Sequence, residues 1–420
     1  MSKFVITGGA KLSGEIEVRG TKNFALKIIP ASLLSKEKMI VSNMPEIEDT
    51  KRSLELLSSL GSKISKDSDK YIIDNSEVKE TTLSSDIAKK FRASVMFVAP
   101  LLARFGEVKF PHPGGCVIGA GSRPIDLFLE GYQALGAKVS HKDGHYIIKA
   151  DKLKGCEYFF TTVSVTATES LLMAASLASG TTVLKNCAME PEIEELAVYL
   201  NRNGAKIEGA GTPIIKIEGV KEIGAGDIEI MPDRIETGTF AIMAAATNSE
   251  LLIKNCRPEN VQILLEIFKK IGINFEAGEF SILIKKTEKF TSYNIKTHEY
   301  PGFPTDLQSP YTMLMTQAHG SALIHETIYD RRLLFSDLLA QMGANIIMCD
   351  PHRIVVNGPT KLQGKELTSP DLRAGITMIL AGLIAEGKTT IDNIYQIDRG
   401  YEQIDSRLRS IGAKIERVTD

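Results

Sequence analysis

Cys116 lies in the run Pro113-Gly-Gly-Cys-Val-Ile-Gly-Ala-Gly-Ser-Arg-Pro-Ile-Asp126, with four glycines around the thiol. So dense a Pro/Gly segment suits neither a regular helix nor a central strand, and a loop is expected. The run ends at Arg123-Pro124. Beyond it Ile125, Phe128, Tyr132 and Leu135 recur at steps of three and four, which predicts a helix. A thiol on such an arm, near Arg123 and Lys22, would be acidified and can serve as nucleophile or proton donor. A buried spacer is the plain alternative. Cys156, Cys187, Cys256 and Cys349 fall in or beside strand-like runs and are read as structural.

Lys22 and Asn23 follow Gly20-Thr21 at a helix start, without P-loop spacing. Lys22 can hold a phosphate or carboxylate and Asn23 a sugar or phosphate oxygen; ordinary capping is equally open. Asp306 ends Pro301-Gly-Phe-Pro-Thr-Asp, ahead of an apolar helix. It can be an N-cap, or a base that takes a hydroxyl proton as a bond forms. Asp371-Leu-Arg373 and Asp398-Arg399-Gly-Tyr401 set arginines beside carboxylates, where surface ion pairs are the default. The seven histidines share no ligand spacing, and no metal site is assigned.

These residues need elements to position them, and the chain repeats. The phrase Leu-Gly-Ser-Lys-Ile around Gly61 returns around Gly136, Gly204, Gly272, Gly343 and Gly412, at intervals of 68 to 75 residues. Fixed self-similarity means a repeated structural unit. Each repeat reads as an apolar helix (25–34, 94–104 or 164–178), a β-rich run, a second helix and one or two strands. The second helix often starts near a proline, such as Pro45, Pro124, Pro191 or Pro258, and ends at the recurring glycine as a C-cap. One such α+β unit has a small core, so three are expected to pack into each of two domains.

Lys22, Arg92, Ser164, Glu236, Asp306 and Arg373 occupy matching places at the first helix of each repeat. Asp49, Arg123, Glu192, Asn260, Arg332 and Arg399 mark the second helices. Helix N-termini hold anions, whereas cations there are unfavourable for the helix alone. Anionic ligands are therefore the expected reason for Lys22, Arg92, Arg123, Arg332 and Arg399, in a cleft between two three-repeat domains.

Bulk properties narrow the classes. The 420 residues are 43% hydrophobic and 24% charged with a net charge of −2, an ordinary globular balance. Nothing suggests a nucleic-acid partner. No apolar run has membrane-span length, and residues 1–18 hold no signal-peptide core. Five scattered cysteines fit a reduced, cytoplasmic protein.

Taken together, Arg-Gly-Thr-Lys22-Asn23, Phe91-Arg92-Ala-Ser94, the Cys116 loop, Arg123-Pro124-Ile125-Asp126 and Ser164-Val165-Thr-Ala-Thr168 resemble the enolpyruvyl transferases. So do Met231-Pro-Asp233-Arg234-Ile-Glu236, Gly302-Phe-Pro-Thr-Asp306, Glu326-Thr-Ile328-Tyr329, Asp371-Leu-Arg373 and Asp398-Arg399-Gly-Tyr401. Within that family the resemblance is to members that act on UDP-N-acetylglucosamine, from about residue 3 to about residue 418. It implies a two-domain inside-out α/β barrel of six βαβαββ repeats, three per domain. The chain would cross near Gly20 and Met231, giving domains 21–231 and 1–20 plus 232–420, with the active site between them.

The implied reaction transfers the enolpyruvyl group of phosphoenolpyruvate to the sugar 3′-hydroxyl by addition and elimination, with no cofactor. By the same resemblance Cys116 donates the proton and Asp306 is the base. Lys22, Arg123 and Arg399 hold phosphoenolpyruvate, with Arg92 and Arg373 nearby, and Arg332 and Asp371 are also substrate-binding. Asn23, Asp306 and Ile328 meet the sugar. Arg123, Pro124, Ile125, Asp126 and Leu127, together with Thr162, Val163, Ser164 and Val165, meet the uridine diphosphate. Cys116 stands seven residues before Arg123, two more than is usual in the family, so Gly121-Ser122 read as an insertion. Transfer to another hydroxyl acceptor, and a non-catalytic nucleotide-sugar binder, are the alternative readings.

Overall fold

A computed structural model describes residues 2–114 and 125–419. The stretch from Gly115 to Pro124 lies outside the described residues, and with it the expectations for Cys116, Arg123 and Pro124. The chain divides into two compact units. Residues 2–19 and 232–419 form one, residues 20–114 and 125–231 the other, and each has its own hydrophobic core.

Six small sheets carry the repeats among the described residues, five of four strands and one of three. The third repeat shows the pattern. Glu157–Phe159 pairs in parallel with Thr181–Lys185. Thr181–Lys185 then pairs antiparallel with Ile214–Glu218, which pairs antiparallel with Lys206–Glu208. Parallel neighbours need a crossover, here the helix Val165–Ser176. The helix Pro191–Arg202 links the central strand to the hairpin. This is the expected βαβαββ unit.

The layers are inside-out because the two helices of a repeat differ in character. First helices are apolar all round and so must be buried. Val165–Ser176 is buried from Ala167 onward, and Arg234–Ala246 and Leu372–Ile384 are buried almost throughout. Second helices such as Gln262–Ile271 bury one stripe, Leu264, Leu265, Ile267, Phe268 and Ile271. Strands such as Ile214–Glu218 alternate buried with exposed residues, as an outer sheet must.

Two features recur with a physical cause. All six repeat glycines have left-handed backbones, with φ of 103° at Gly61, 101° at Gly204 and 87° at Gly272, for example. A Cβ on Gly204 would meet nothing within 4 Å, so backbone conformation rather than crowding requires glycine there. The second feature is an asparagine with positive φ just after four central strands: Asn43, Asn186, Asn255 and Asn393. Each Nδ2 donates to the carbonyl just past the parallel neighbour strand. The acceptors are Ile230 at 2.7 Å, Phe160 at 2.8 Å, Val18 at 2.9 Å and Ser369 at 2.8 Å. These latches fix the segments that lead into the first helices.

The strand before each chain crossing pairs within its own unit. Ser13–Glu17 pairs with Glu250–Lys254, the central strand that follows helix Arg234–Ala246. Asp227–Glu229 pairs with Lys38–Ser42, which follows helix Lys22–Ala31. Within their own units, Thr21 N–H donates to Met231 C=O at 2.8 Å and Asp233 N–H to Arg19 C=O at 2.9 Å. In the sixth repeat the N-terminal strand Ser2–Thr7 fills the place between Lys388–Asp392 and Lys414–Thr419.

Candidate active site

In the unit that contains residues 20–114, Lys22 opens helix Lys22–Ala31, with Thr21 as an extended N-cap. Its ammonium lies 2.7 Å from Asp49, in the first turn of helix Glu48–Ser59, and both side chains are largely buried. A helix start that presents a cation is thus answered by a carboxylate from the second helix of the same repeat. Asn23 is the next residue, half-buried.

Arg92 opens the 3-10 turn Arg92–Phe97. It lies close enough to His112 to act on it. Burial, then the Arg92 charge, hold the His112 imidazole below its ordinary pKa, against a smaller opposite pull from Asp126. Ile125 is the buried residue before helix Asp126–Ala134, and Leu127 C=O accepts from Tyr158 Oη at 3.4 Å. Thr162 is exposed and Val163 half-buried. Ser164 is a true N-cap, its Oγ accepting from Ala167 N–H at 3.3 Å, so its hydroxyl hydrogen is still available to donate.

The other unit gathers the sequence candidates most tightly. Asp306 lies in the 3-10 turn Thr305–Leu307 and makes no cap there. Instead Arg332 Nη2 donates to Oδ1 at 2.9 Å and Arg373 Nη2 to Oδ2 at 2.8 Å. Asp306 keeps 26% of its side-chain surface exposed, while both arginines are nearly buried. Burial alone would raise the Asp306 pKa. The charges of Arg373 and Arg332, the Arg373 hydrogen bond and the charge of Arg234 outweigh it and hold the carboxyl well below the usual carboxylate range. Arg373 moves the opposite way: burial would lower its pKa, but Asp306 above all, with Tyr401 and Asp233, raises it.

The surroundings lock this cradle. Asp371 caps helix Leu372–Ile384, accepting from Arg373 N–H at 2.8 Å and Ala374 N–H at 3.0 Å. Arg373 Nη1 donates to Tyr401 Oη at 3.1 Å, and Tyr401 Oη lies 3.1 Å from Thr239 Oγ1. Glu326 is fully buried and holds both flanks. It accepts from Ile328 N–H at 2.9 Å, Tyr329 N–H at 3.1 Å and Thr305 Oγ1 at 2.8 Å. So Ile328 and Thr305, the neighbour of Asp306, hang on one carboxylate.

Three expectations change. Arg399 does not begin a second helix; it is the C-cap of the one-turn helix Tyr395–Asp398, with Nη1 donating to Gln396 Oε1 at 3.0 Å. A cation is favourable at a C-terminus, so the unfavourable-cation argument does not apply to it. Glu236 is buried and takes two hydrogen bonds from Arg407, at 2.6 and 3.0 Å, and one from Arg19 N–H at 2.9 Å, so its carboxylate is occupied by structural partners. The arginines beside Asp371 and Asp398 are not their ion-pair partners: Arg373 pairs with Asp306, and Asp398 takes two hydrogen bonds from Arg417 at 2.7 and 2.9 Å.

Asp49, Glu326, Tyr401 and Asp233 stand in the repeat register or the family motifs, but the sequence assigns them no role in the site. Asp49 carried the clearest signal, since it stands in repeat one where Arg332 stands in repeat five. Burial pushes the Cys187 and Cys256 thiols up to about 12 and raises Cys156, which leaves them poor nucleophiles. Among the described residues, no group of three or more His, Cys, Asp or Glu is placed to hold a metal ion, and no helix is long and apolar enough to cross a membrane.

Known proteins resemble the chain over its whole length. A UDP-N-acetylglucosamine 1-carboxyvinyltransferase from Desulforapulum autotrophicum is 41% identical over 418 residues, covering 100% of both chains. One from Carboxydothermus hydrogenoformans is 43% identical over 418 residues, covering 100% of this chain and 99% of its own. The solved enolpyruvyl transferase NikO from Streptomyces tendae superimposes with a TM-score of 0.90 at 22% identity, covering 100% of this chain and 99% of its own. An EPSP synthase from Acinetobacter baumannii gives 0.77 at 18%, with full coverage of both. The family model described as EPSP synthase (3-phosphoshikimate 1-carboxyvinyltransferase) matches residues 6–408, and the chain belongs to that family of enolpyruvyl transferases.

Proposed function

We propose that the protein transfers the enolpyruvyl group of phosphoenolpyruvate to the 3′-hydroxyl of UDP-N-acetylglucosamine, releasing phosphate, the first committed step of peptidoglycan precursor synthesis. Full-length relatives at 41% and 43% identity are UDP-N-acetylglucosamine 1-carboxyvinyltransferases, and this is what carries the reading. The site chemistry supports it: an ionised carboxylate between two nearly buried arginines suits a base that works beside anionic substrates. Both substrates are cytoplasmic metabolites, and the protein acts there.

In this reading the sugar hydroxyl oxygen attacks C2 of phosphoenolpyruvate while its proton passes to Asp306. Cys116 delivers a proton to C3, which completes a tetrahedral intermediate. The C2–O bond to phosphate then breaks as a C3 proton returns to the Cys116 thiolate, which restores the enol double bond. Lys22, Arg123 and Arg399 hold the phosphoenolpyruvate anions, aided by Arg92, Arg332 and Arg373. Asn23 and Ile328 orient the sugar. Residues 123–127 and 162–165 hold the uridine diphosphate.

The Asp306 cradle adds a condition. A carboxylate stabilised by two guanidinium groups is a weak base. When the anionic substrate draws on Arg332 and Arg373, that stabilisation falls and the basicity of Asp306 rises. Lys22 is likewise released from Asp49 when a phosphate competes for it. Substrate binding therefore switches on the base.

Phosphate release from phosphoenolpyruvate, with and without UDP-N-acetylglucosamine, tests the function. Sugar-dependent release is expected. Release that needs a different hydroxyl compound would support the alternative acceptor. Tight sugar-nucleotide binding without release would support a non-catalytic binder.

A further inference from the structure

Lys27 and Glu169 form a buried ion pair that the reaction does not use. The Lys27 ammonium lies 2.5 Å from Glu169 Oε2, and the two side chains are 5% and 0% exposed. Lys27 stands on helix Lys22–Ala31 and Glu169 on helix Val165–Ser176, so the pair ties the first helix of repeat one to that of repeat three. A buried ion pair is a costly way to join two helices, since apolar residues of like volume often do as well or better. Its best-attested use is to fix register.

The register it fixes is informative. Asn23 and Lys27 are four residues apart, as are Val165 and Glu169. On an α-helix such residues share a face, separated by about 6 Å along the axis. The pair therefore sits one turn below Asn23 on one helix and one turn below Val165 and its N-cap Ser164 on the other. In the proposed function, on which this inference rests, Asn23 meets the sugar and Ser164–Val165 the diphosphate. Two parts of one ligand are read by two helix starts, and the pair lies beneath both.

A third helix start closes on the same point. Thr168, beside Glu169, accepts from Ala188 N–H at 3.1 Å, and Glu190 is the N-cap residue of helix Pro191–Arg202. Glu190 and Glu192 are buried and act electrostatically on Glu169. Burial pushes the Glu169 carboxyl up to about 7, Lys27 opposes this, and Glu192 and Glu190 add to it.

We propose that Lys27 and Glu169 are positioning residues that set the spacing between Asn23 and Ser164–Val165, and through it the affinity for the nucleotide sugar. Near neutral pH Glu169 exchanges its proton while Lys27, Glu190 and Glu192 face it, so the pair is complete above about pH 7 and weakened below it. The diphosphate of a nucleotide sugar has no proton to exchange in that range, so a change in its KM there reports on the protein.

The test compares wild type, Glu169→Gln, Lys27→Met and the double variant Lys27→Met/Glu169→Leu, with Asn23→Ala and Ser164→Ala as references. Circular dichroism and thermal unfolding confirm that each is folded, and the apolar double variant keeps a packed interface if a single variant does not. All three pair variants should raise KM for UDP-N-acetylglucosamine by roughly tenfold, as expected for a sub-ångström misplacement. The KM for phosphoenolpyruvate and kcat should change less than about twofold. The wild-type KM for the sugar nucleotide should rise as pH falls through about 7, and Glu169→Gln should abolish that rise. An unchanged KM in folded variants, equal changes for both substrates, or a pH profile that survives Glu169→Gln would each overturn the proposal. If Asn23→Ala and Ser164→Ala leave the KM for UDP-N-acetylglucosamine unchanged, their assignment as sugar-nucleotide contacts fails and takes the inference with it. If they raise it and the pair variants do not, the inference alone fails.

Discussion

Asp306 and Glu169 are two carboxylates pushed in opposite directions, and the difference is visible in acid and base. Asp306 is held ionised by Arg373 and Arg332. Its folded pKa is depressed, so its contribution to stability is present above the ordinary carboxylate range and is lost as pH falls through about 4 and below. Glu169 has a raised folded pKa, about 7 against an ordinary 4.5. Its contribution favours the folded state at low pH and is lost as pH rises from 4.5 to about 7. Plots of Tm against pH should therefore lose slope on the acid side in Asp306→Asn and on the neutral side in Glu169→Gln. In activity the two also part. Asp306→Asn should lower kcat by about 10²–10⁴, the usual worth of a positioned base, in a folded protein whose Arg332 and Arg373 remain in place. A kcat within twofold of wild type would remove Asp306 from the proton-transfer role.

The helix starts and their latches are the elements that carry the site. Gly204 has φ of 101° with open space around its Cβ position, so Gly204→Ala should cost about 1–2 kcal/mol from backbone strain alone. Asn186→Ala loses both the bond to Phe160 C=O and a residue tolerant of positive φ. Thermal unfolding should show a loss of about 1–2 kcal/mol, with Asn186→Gly recovering the backbone part only. If Asn186→Gly restores full stability, the latch contributes nothing.

Much of this level was legible in the chain. The recurring glycine marked the end of every second helix, and apolar all-round segments marked the buried first helices. The helix-start positions of Lys22, Arg92, Ser164, Asp306 and Arg373 followed from the repeat register. Their partners did not follow, because pairing is decided by packing between repeats. Asp306 meets Arg373 from the next repeat, and Lys27 meets Glu169 from two repeats away. Arg399 was misplaced because Tyr395–Asp398 is a single turn, too short for periodicity to reveal. The asparagine latches escaped notice because a lone Asn after a strand reads as an ordinary turn.

At the scale of the whole molecule, the chain builds three sheets in one unit, then three in the other. The strands Ser13–Glu17 and Asp227–Glu229, just before the two crossings, complete sheets of their own units. That arrangement is common to proteins that share only 18% and 22% of their residues with this one, so the fold does not select the substrate. Selection must then rest on side chains, and in the proposed mechanism the Cys116 thiol is the group that delivers the proton to C3. Fosfomycin, a phosphoenolpyruvate-like epoxide, should alkylate Cys116 in wild type and leave Cys116→Asp unmodified by mass spectrometry. Labelling of Cys156 or Cys349 instead would contradict the assignment of the reactive thiol. The central claim, enolpyruvyl transfer to the sugar nucleotide, is met most directly by measuring inorganic phosphate released from phosphoenolpyruvate by the folded wild-type protein. The account predicts release that depends on UDP-N-acetylglucosamine and yields its 3′-enolpyruvyl ether in equal amount; no sugar-dependent release, or phosphate without that ether, would contradict it.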